Sequence, residues 1–156
     1  MKNYLDNDLT APKYLFHGSP NLMEVVEPKK AKDSNGNMEN EDFAVFLTSS
    51  FLLATAYAFK DQIKKLSEGK KYAFHIGSNS SGEISIKMDN VIVDDDMQGY
   101  IYVFDYSSEY EHTHESSLQY KCHRNIKPIS VVKVKFSDFK EYYAINENEK
   151  STCFGK

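Results

Sequence analysis

The sequence contains little arginine. Of the 19 basic residues in this chain of 156 residues, Arg124 is the one arginine, and 23 acidic residues give a formal net charge of −4. Proteins that bind nucleic acid through its phosphates usually concentrate Arg and Lys on one face. The composition therefore disfavours a protein that binds the nucleic-acid backbone.

Cysteine and long apolar segments are also scarce. Cys122 and Cys153 are the two cysteines, and they lack the paired spacing of a secreted domain held by disulfides. Residues 1–13 include Asp6 and Asp8 and no apolar run typical of a secretory signal. No window approaches the ~20 apolar residues that a membrane-spanning helix requires. We therefore expect a cytoplasmic protein without a membrane partner.

The length and composition fit one domain. The chain is 40 % hydrophobic and 13 % aromatic, which is enough for one core. No internal repeat or long linker divides it, so we expect one domain over residues 1–156, with 1–12 as an N-terminal arm and 146–156 as a loosely held tail. Residues 29–42 have an Asn-Gly-Asn centre and are predicted to form a flexible loop between two strands.

Helical periodicity is clear in one segment, from Ser50 to about Ser67. Ser49 or Ser50 would cap its first turn, and Gly69 stands where a C-terminal cap is expected. The apolar residues of this segment recur at spacings of four and three and form a narrow stripe, which comprises Leu52, Ala56, Phe59, Ile63 and Leu66. We predict one main helix here.

Most of the remaining sequence has the short apolar segments of β-strands. We predict strands at 14–17, 44–48, 72–76, 83–88, 91–93, 100–104 and 129–136, and a last short helix at 138–143. Few helices and many short strands indicate an α+β domain that is built on antiparallel sheet.

Tyr57 lies outside the apolar stripe of the predicted helix. It is about 140° from Leu52 around the helix axis. Such a ring either lies on the surface or faces a cleft where a flat ligand could stack on it. On the preceding strand Ala44, Phe46 and Thr48 share one face, so Phe46 could approach the same cleft from the sheet.

The first predicted strand ends in a histidine, within the stretch YLFHGSPN at residues 14–21. His17 is followed at once by Gly18, Ser19 and Pro20. Histidine is costly to bury and changes charge near neutral pH, whereas glycine lets another group approach the backbone closely. His17 and Gly18 are therefore candidate site residues.

These features together resemble a known family. A strand that ends in His-Gly-Ser, a polar loop and then AVFLTSSFLLATAYA are similar to the ADP-ribosyltransferase fold, in its histidine–tyrosine–glutamate branch. Poly-ADP-ribose polymerases and diphtheria-type toxins belong to this branch. The resemblance covers roughly residues 17–134. It implies split antiparallel β-sheets with one main helix after the second motif strand, and a protein that uses NAD as a co-substrate and transfers ADP-ribose to an acceptor with release of nicotinamide.

The resemblance implies a role for each matching residue. The imidazole of His17 would donate a hydrogen bond to a ribose hydroxyl of NAD, and the backbone of Gly18 would hold the nicotinamide carboxamide. Phe46 and Tyr57 fall on two tyrosines of the family and would sandwich the nicotinamide ring. Ser19 and Thr48 adjoin these positions and complete the NAD-binding candidates, which are His17, Gly18, Ser19, Phe46, Thr48 and Tyr57.

The catalytic glutamate of the family corresponds to Gln119 in this chain. That glutamate stabilises positive charge on the ribose as nicotinamide leaves, and its loss costs ~2–4 kcal/mol of transition-state stabilisation. Ala54 likewise falls where the family has a serine that bonds the carboxamide. We rank Gln119 first because Tyr120 and an Ile-Lys-Pro stretch follow it. A different register would bring one of three glutamates into the site instead, namely Glu109, Glu111 or Glu115.

Two functions are open on this basis. With Gln119, His17 and Glu115 as catalytic candidates, the protein would be a transferase acting on a protein, nucleic acid or small molecule. Alternatively, it is a catalytically impaired module of the same fold that binds NAD, ADP-ribose or a protein. A tRNA 2′-phosphotransferase activity is disfavoured because phosphate recognition there relies on arginine.

A histidine-rich segment near the predicted Gln119 site could bind a metal, but solvated histidines are the stronger interpretation. His112, His114, Cys122 and His123 lie within twelve residues, but their spacing matches no established zinc module. We therefore expect solvated histidines and no bound metal.

Overall fold

The computed structural model describes residues 2–30, 43–79, 81–113 and 117–146. Within these ranges the chain is an α+β protein whose strands pair mainly antiparallel, as predicted. The helical elements are α1 (Lys2–Leu5), α2 (Phe51–Leu66), α3 (Phe136–Phe139) and a 3₁₀ turn at Lys140–Tyr142. The strands are β1 (Tyr14–Ser19), β2 (Lys29–Lys30), β3 (Phe43–Thr48), β4 (Ala73–Ser78), β5 (Ile84–Asp89), β6 (Gln98–Asp105), β7 (Glu111–His112), β8 (Gln119–Cys122), β9 (Ser130–Lys135) and β10 (Ala144–Asn146). None of the helices in these ranges has the length and apolar character needed to cross a membrane.

The predicted strand at 91–93 is wrong. Asn90 adopts a left-handed φ of 58°, which ends β5. The Ile92 N–H then donates to the Ser67 hydroxyl at 2.8 Å and so takes a side-chain partner. The other predicted strands are present with ends that differ by at most two residues. The predicted helix at 138–143 begins earlier, at Phe136, and its second half is the 3₁₀ turn.

Several short elements escape prediction, namely α1, β2, β7, β8 and β10. Strand β2 lies at the start of the predicted loop at 29–42, and residues 31–42 lie outside the described residues. Strand β10 runs to Asn146, which pairs with Asp89, and residues 147–156 of the predicted tail also lie outside them.

The larger sheet places β1 near its centre. Its strands follow the order β7-β8-β3-β1-β6-β9, and β2 also pairs with β3. A smaller sheet has the order β10-β5-β4, in which β10 runs parallel to β5. The buried face of α2 shares one core with Phe16 of the larger sheet and Met88 of the smaller sheet. A second core, on the opposite face of the larger sheet, contains Leu15, Leu47 and Tyr102.

Helix α2 begins where the sequence predicts. The Ser50 hydroxyl accepts a hydrogen bond from the Leu53 N–H at 3.1 Å and caps the first turn. The buried face is wider than the predicted stripe because both sheets contribute to the core around it, and Ala54 and Ala58 are fully buried. Leu66 was expected in the stripe, but it is 42 % exposed, so this assignment is wrong.

Helix α2 lies unusually close to β1 at Gly18. A Cβ atom on Gly18 would stand 1.9 Å from the Ala54 carbonyl oxygen, and a Cβ on Gly99 of β6 would stand 2.8 Å from the Ala58 Cβ. Glycine on the two strands and alanine on the helix thus allow backbone to approach backbone. We expected a ligand to approach the backbone closely at Gly18. On the face of the sheet that carries α2, the helix backbone makes this close approach instead.

The N-terminal arm is tied to the sheet by one buried amide. Asn7 Nδ2 donates to the carbonyls of Tyr14 and Ser49 at 2.9 and 2.8 Å. Asn7 Oδ1 accepts from the N–H groups of Lys13 and Tyr14, both at 3.1 Å. The arm therefore connects the start of β1 to the turn between β3 and α2.

We expect Gly18→Ala to destabilise the protein, because the new methyl group would collide with the backbone of α2. Overpacking of this kind costs about 1–3 kcal/mol, and urea unfolding will measure it. Gly77→Ala is the matched control, since its Cβ would meet the end of the exposed His75 side chain at 3.1 Å. Equal unfolding free energies for the two variants would contradict the close packing at Gly18.

Candidate functional site

His17 is held by the backbone of the neighbouring strand. Its Nδ1 lies 2.8 Å from the carbonyl oxygen of Phe46, 29 residues further along the chain. A carbonyl oxygen only accepts, so Nδ1 carries the hydrogen, and in the neutral ring Nε2 is the acceptor. Burial lowers the pKa of His17, the hydrogen bond to Phe46 opposes this shift, and the charge of Lys29 lowers the pKa further. His17 is therefore mostly neutral at pH 7 and above.

Strands β1 and β3 pair at Phe16 and Thr48. Among the residues that the structure describes, this pairing does not extend to Gly18. Main-chain hydrogen bonds alternate between the two sides of an antiparallel strand. The Tyr106 N–H donates to the Lys13 carbonyl at 2.9 Å, so odd-numbered residues of β1 bond toward β6. Phe16 and Gly18 consequently direct their main-chain groups toward β3. The main chain of Gly18 thus points to the place where the two strands separate.

Phe46 and Gln119 lie on the same face of the larger sheet as α2. Residues directly opposite each other on paired strands share a face. Phe16, which packs against α2, is opposite Thr48, and Thr48 is opposite Gln119. Two residues along, Phe46 is opposite Lys121 on the same face. Thr48 is buried, whereas Phe46, Gln119 and Lys121 are partly exposed, so these three border a region that α2 leaves uncovered.

Tyr57 is on the side of α2 that faces β3. The opposite side faces β6, because Ala58 meets Gly99 and Gln62 Nε2 donates to the Gln98 carbonyl at 2.7 Å. Tyr57 is about 100° from Ala58 and about 140° from Gln62 around the helix axis. Its ring is therefore turned away from β6 and toward the strand that carries Phe46.

The surroundings of Tyr57 suit a contact ring. The side chain is 41 % exposed, and the Lys60 ammonium lies 5.9 Å from its ring centroid. Burial nevertheless raises the pKa of the Tyr57 phenol, so its hydroxyl is partly shielded from water. The Tyr57 ring is thus partly accessible to solvent beside the sheet, and a flat ligand could stack on its exposed part.

A small cavity of about 100 Å³ opens where β1 and β3 separate. Three of the predicted residues line it, namely His17, Ser19 and Phe46. Of the other predicted residues that the structure describes, Gly18, Thr48, Tyr57 and Gln119 do not line this cavity. Phe46 therefore belongs to both parts of the candidate site, the cavity beside His17 and the uncovered region on the side of Tyr57. The His17 side chain itself lies on the opposite face of β1 from Phe16 and α2, beside Tyr102.

The side chain of Gln119 is oriented by a neighbouring hydroxyl. Thr113 Oγ1 donates toward the Gln119 side-chain oxygen at 3.3 Å and its main-chain oxygen at 3.2 Å. The Gln119 N–H donates to the Ser117 hydroxyl at 3.3 Å. The amide oxygen is thus engaged by protein, and the amide nitrogen is the group suited to a ligand hydroxyl.

The alternative glutamates occupy different positions. Glu109 forms an exposed ion pair with Arg124, whose hydrogen bond and charge lower the pKa of that carboxyl. Glu111 is exposed on β7, opposite Lys121. Glu115 lies outside the described residues. Among the described candidates, Gln119 is the one whose position beside Thr48 follows directly from the pairing of β3 with β8.

The histidine-rich segment has structural contacts. The His112 ring stacks on Tyr120 at 4.6 Å, and its Nε2 donates to the Ser117 carbonyl at 2.6 Å. The Cys122 thiol is buried and donates weakly to a carbonyl at 3.8 Å. Within the described ranges no three His, Cys, Asp or Glu side chains are placed to hold a metal ion, and His114 lies outside them.

Sequence patterns missed five residues around the cavity and beside Gln119. Met23, Val26, Glu27 and Lys29 line the cavity, and Thr113 contacts Gln119. Met23 is held by the Tyr102 hydroxyl, which accepts from its N–H at 2.6 Å. All five lie outside the strands predicted from periodicity, so no sequence signal marked them.

No family model, curated protein or solved structure matches this chain. The ADP-ribosyltransferase fold therefore stays a prediction from the sequence motifs.

We expect the pH dependence of stability to reveal the lowered pKa of His17. The unfolded imidazole titrates near pH 6.5, and the folded one titrates lower. Between these two values the unfolded chain binds more protons, so the free energy of unfolding falls as the pH drops below about 6.5. Urea unfolding between about pH 7 and pH 5 will measure this loss in the wild type and in His17→Asn.

His17→Asn removes the titrating group and keeps a donor for the Phe46 carbonyl. The loss of stability on acidification will be smaller in this variant than in the wild type, because other groups titrate equally in both. Equal losses would show that the folded pKa of His17 is not lowered.

Proposed function

We propose that this chain is an ADP-ribosyltransferase-like protein of the histidine–tyrosine–glutamate branch, which binds NAD and transfers ADP-ribose to an acceptor with release of nicotinamide. One observation carries the proposal: the hydrogen bond from His17 Nδ1 to the Phe46 carbonyl, at 2.8 Å, joins the two motifs on which the resemblance rests. The division of the strands between two mainly antiparallel sheets and the helix after β3 agree with what the resemblance implies for the fold, and they support the proposal.

The proposed binding mode uses both parts of the site. A ribose of NAD would enter the cavity beside His17, where Nε2 accepts a hydrogen bond from a ribose hydroxyl. This corrects the expected donor role, because the one ring hydrogen is used on Phe46. The nicotinamide ring would stack between Phe46 and Tyr57, and the main chain of Gly18 would hold its carboxamide.

The proposed reaction breaks the bond between the ribose anomeric carbon and the nicotinamide nitrogen. Nicotinamide leaves as a neutral molecule with the electron pair of that bond, and positive charge develops on the ribose. A nucleophile of the acceptor then bonds to the anomeric carbon and loses its proton. Gln119 would orient a ribose hydroxyl but supplies no negative charge, so we expect a slow reaction.

A second function, NAD or ADP-ribose binding without turnover, is favoured by the charge of the same surface. Lys121 lies opposite Phe46 on the face that carries Gln119, and Lys29 lines the cavity. These ammonium groups attract the diphosphate of NAD but oppose positive charge on the ribose. The two described carboxylates of the site, Glu111 opposite Lys121 and Glu27 in the cavity with Lys29, are each accompanied by one of these lysines. The lysines thus support binding more than catalysis.

We predict that NAD labelled in the nicotinamide ring loses labelled nicotinamide in the presence of the wild-type protein. His17→Ala and Tyr57→Ala will each lower this release at least about tenfold, through loss of a hydrogen bond and of a stacking ring. Tyr142→Ala is the control, since Tyr142 is 48 % exposed and Tyr57 is 41 % exposed. Equal effects of the two tyrosine variants would contradict the proposed site.

Gln119→Glu separates the two functions in the same assay. Restored negative charge will raise the release rate by up to about 1000-fold, the equivalent of ~4 kcal/mol. Gln98→Glu, on the exposed start of β6, is the control. Saturable binding of NAD without release in either protein would support the binding module. If neither binding nor release is found, both functions are refuted.

A further inference from the structure

Strand β9 forms an edge of the larger sheet, and no other described strand pairs with its outer side. The Phe136 N–H donates to the Met97 carbonyl at 2.8 Å, so even-numbered residues of β9 bond toward β6. The N–H and C=O groups of the odd-numbered residues Val131, Lys133 and Lys135 are therefore directed outward. An edge of this kind is a template for another extended chain.

An open groove of about 700 Å³ lies beside the start of β9. Three apolar side chains in its lining are exposed to solvent: Leu22 by 69 %, Ile129 by 55 % and Val131 by 39 %. They come from two segments far apart in sequence and meet on one surface. Exposed apolar side chains that share a concave surface are typical of a binding site for another protein.

Lysines surround this apolar surface. Lys127 lines the groove, and Lys133 is exposed on β9. Lys135, at the end of the strand, lies 3.5 Å from the exposed carboxylate of Asp96. One carboxylate, that of Glu24, belongs to the described lining of the groove. The balance of charge along the edge is positive, although the whole chain has a net charge of −4.

We propose that the β9 edge and this groove bind an acidic, extended segment of a partner protein, which adds to the larger sheet as one more strand. The outward main-chain groups of β9 pair with the added strand. Its carboxylates lie near Lys127 and Lys133, and an apolar side chain enters the groove beside Ile129. This site adjoins the proposed NAD site, because Met23 lines both the groove and the cavity, but the inference does not depend on NAD binding.

The charges argue against a second copy of this chain as the occupant. Pairing β9 with the same strand of another copy about Lys133 would bring lysine ammonium groups opposite each other. Like charges in directly opposed positions of a sheet are destabilising. Lysines at these positions would stabilise an acidic strand, so the β9 edge favours an acidic partner segment over a second copy of this chain.

The experiment measures fluorescence anisotropy of two labelled peptides, Glu-Val-Glu-Val-Glu-Val and Lys-Val-Lys-Val-Lys-Val, titrated with the full chain. The acidic peptide will bind at least about tenfold more tightly than the lysine peptide, and added salt will weaken its binding. Val131→Pro removes an outward N–H and keeps the bonds to β6, and it will weaken binding of the acidic peptide about tenfold.

Ile129→Asp provides a second test that leaves the strand intact, with Ile92→Asp as its control because Ile92 is also exposed, by 43 %. Ile129→Asp will weaken binding of the acidic peptide, and Ile92→Asp will not. Equal binding of the two peptides, no binding, or binding unchanged by both β9-edge variants would overturn the proposal. A wild-type dimer that Val131→Pro dissociates would overturn it as well, in favour of a second copy.

Discussion

The contact between Gly18 and helix α2 is the constraint on which the rest of the arrangement depends. Since the Ala54 carbonyl occupies the place of a side chain on Gly18, the helix lies directly on β1 and extends over β6. Strands β3 and β8 are left beside the helix. Phe46 and Gln119 on these strands are therefore partly exposed, and Tyr57 stands on the side of the helix that faces them.

The hydrogen bond between His17 and Phe46 gives the site its chemical character. The His17 side chain donates to the Phe46 carbonyl of β3, at the point where main-chain pairing of β1 with β3 would otherwise continue. This hydrogen bond determines which ring nitrogen carries the hydrogen. The resulting neutral imidazole offers an acceptor to the cavity. Gln119 supplies no negative charge, and the described carboxylates of the site each accompany a lysine: Glu111 lies opposite Lys121 on the face of Gln119, and Glu27 lines the cavity with Lys29. The site thus combines features that suit binding with weak support for catalysis.

Local patterns predicted the parts of the fold that local interactions determine. Helix α2 was predicted because its periodicity and the Ser50 cap lie within one segment. Strands β8 and β10 were missed because they are short and partly polar, and each forms by pairing with a distant strand. The family resemblance selected His17, Phe46 and Tyr57, but their hydrogen bonding and their division between a cavity and a helix-facing surface depend on tertiary structure.

The most direct test of the central claim is a set of intermolecular nuclear Overhauser effects between the nicotinamide protons of NAD and the aromatic protons of the protein. We expect effects from the nicotinamide ring to both Phe46 and Tyr57, since both rings would lie within a stacking distance of it. Effects to neither ring, or to aromatic residues elsewhere on the surface, would contradict it.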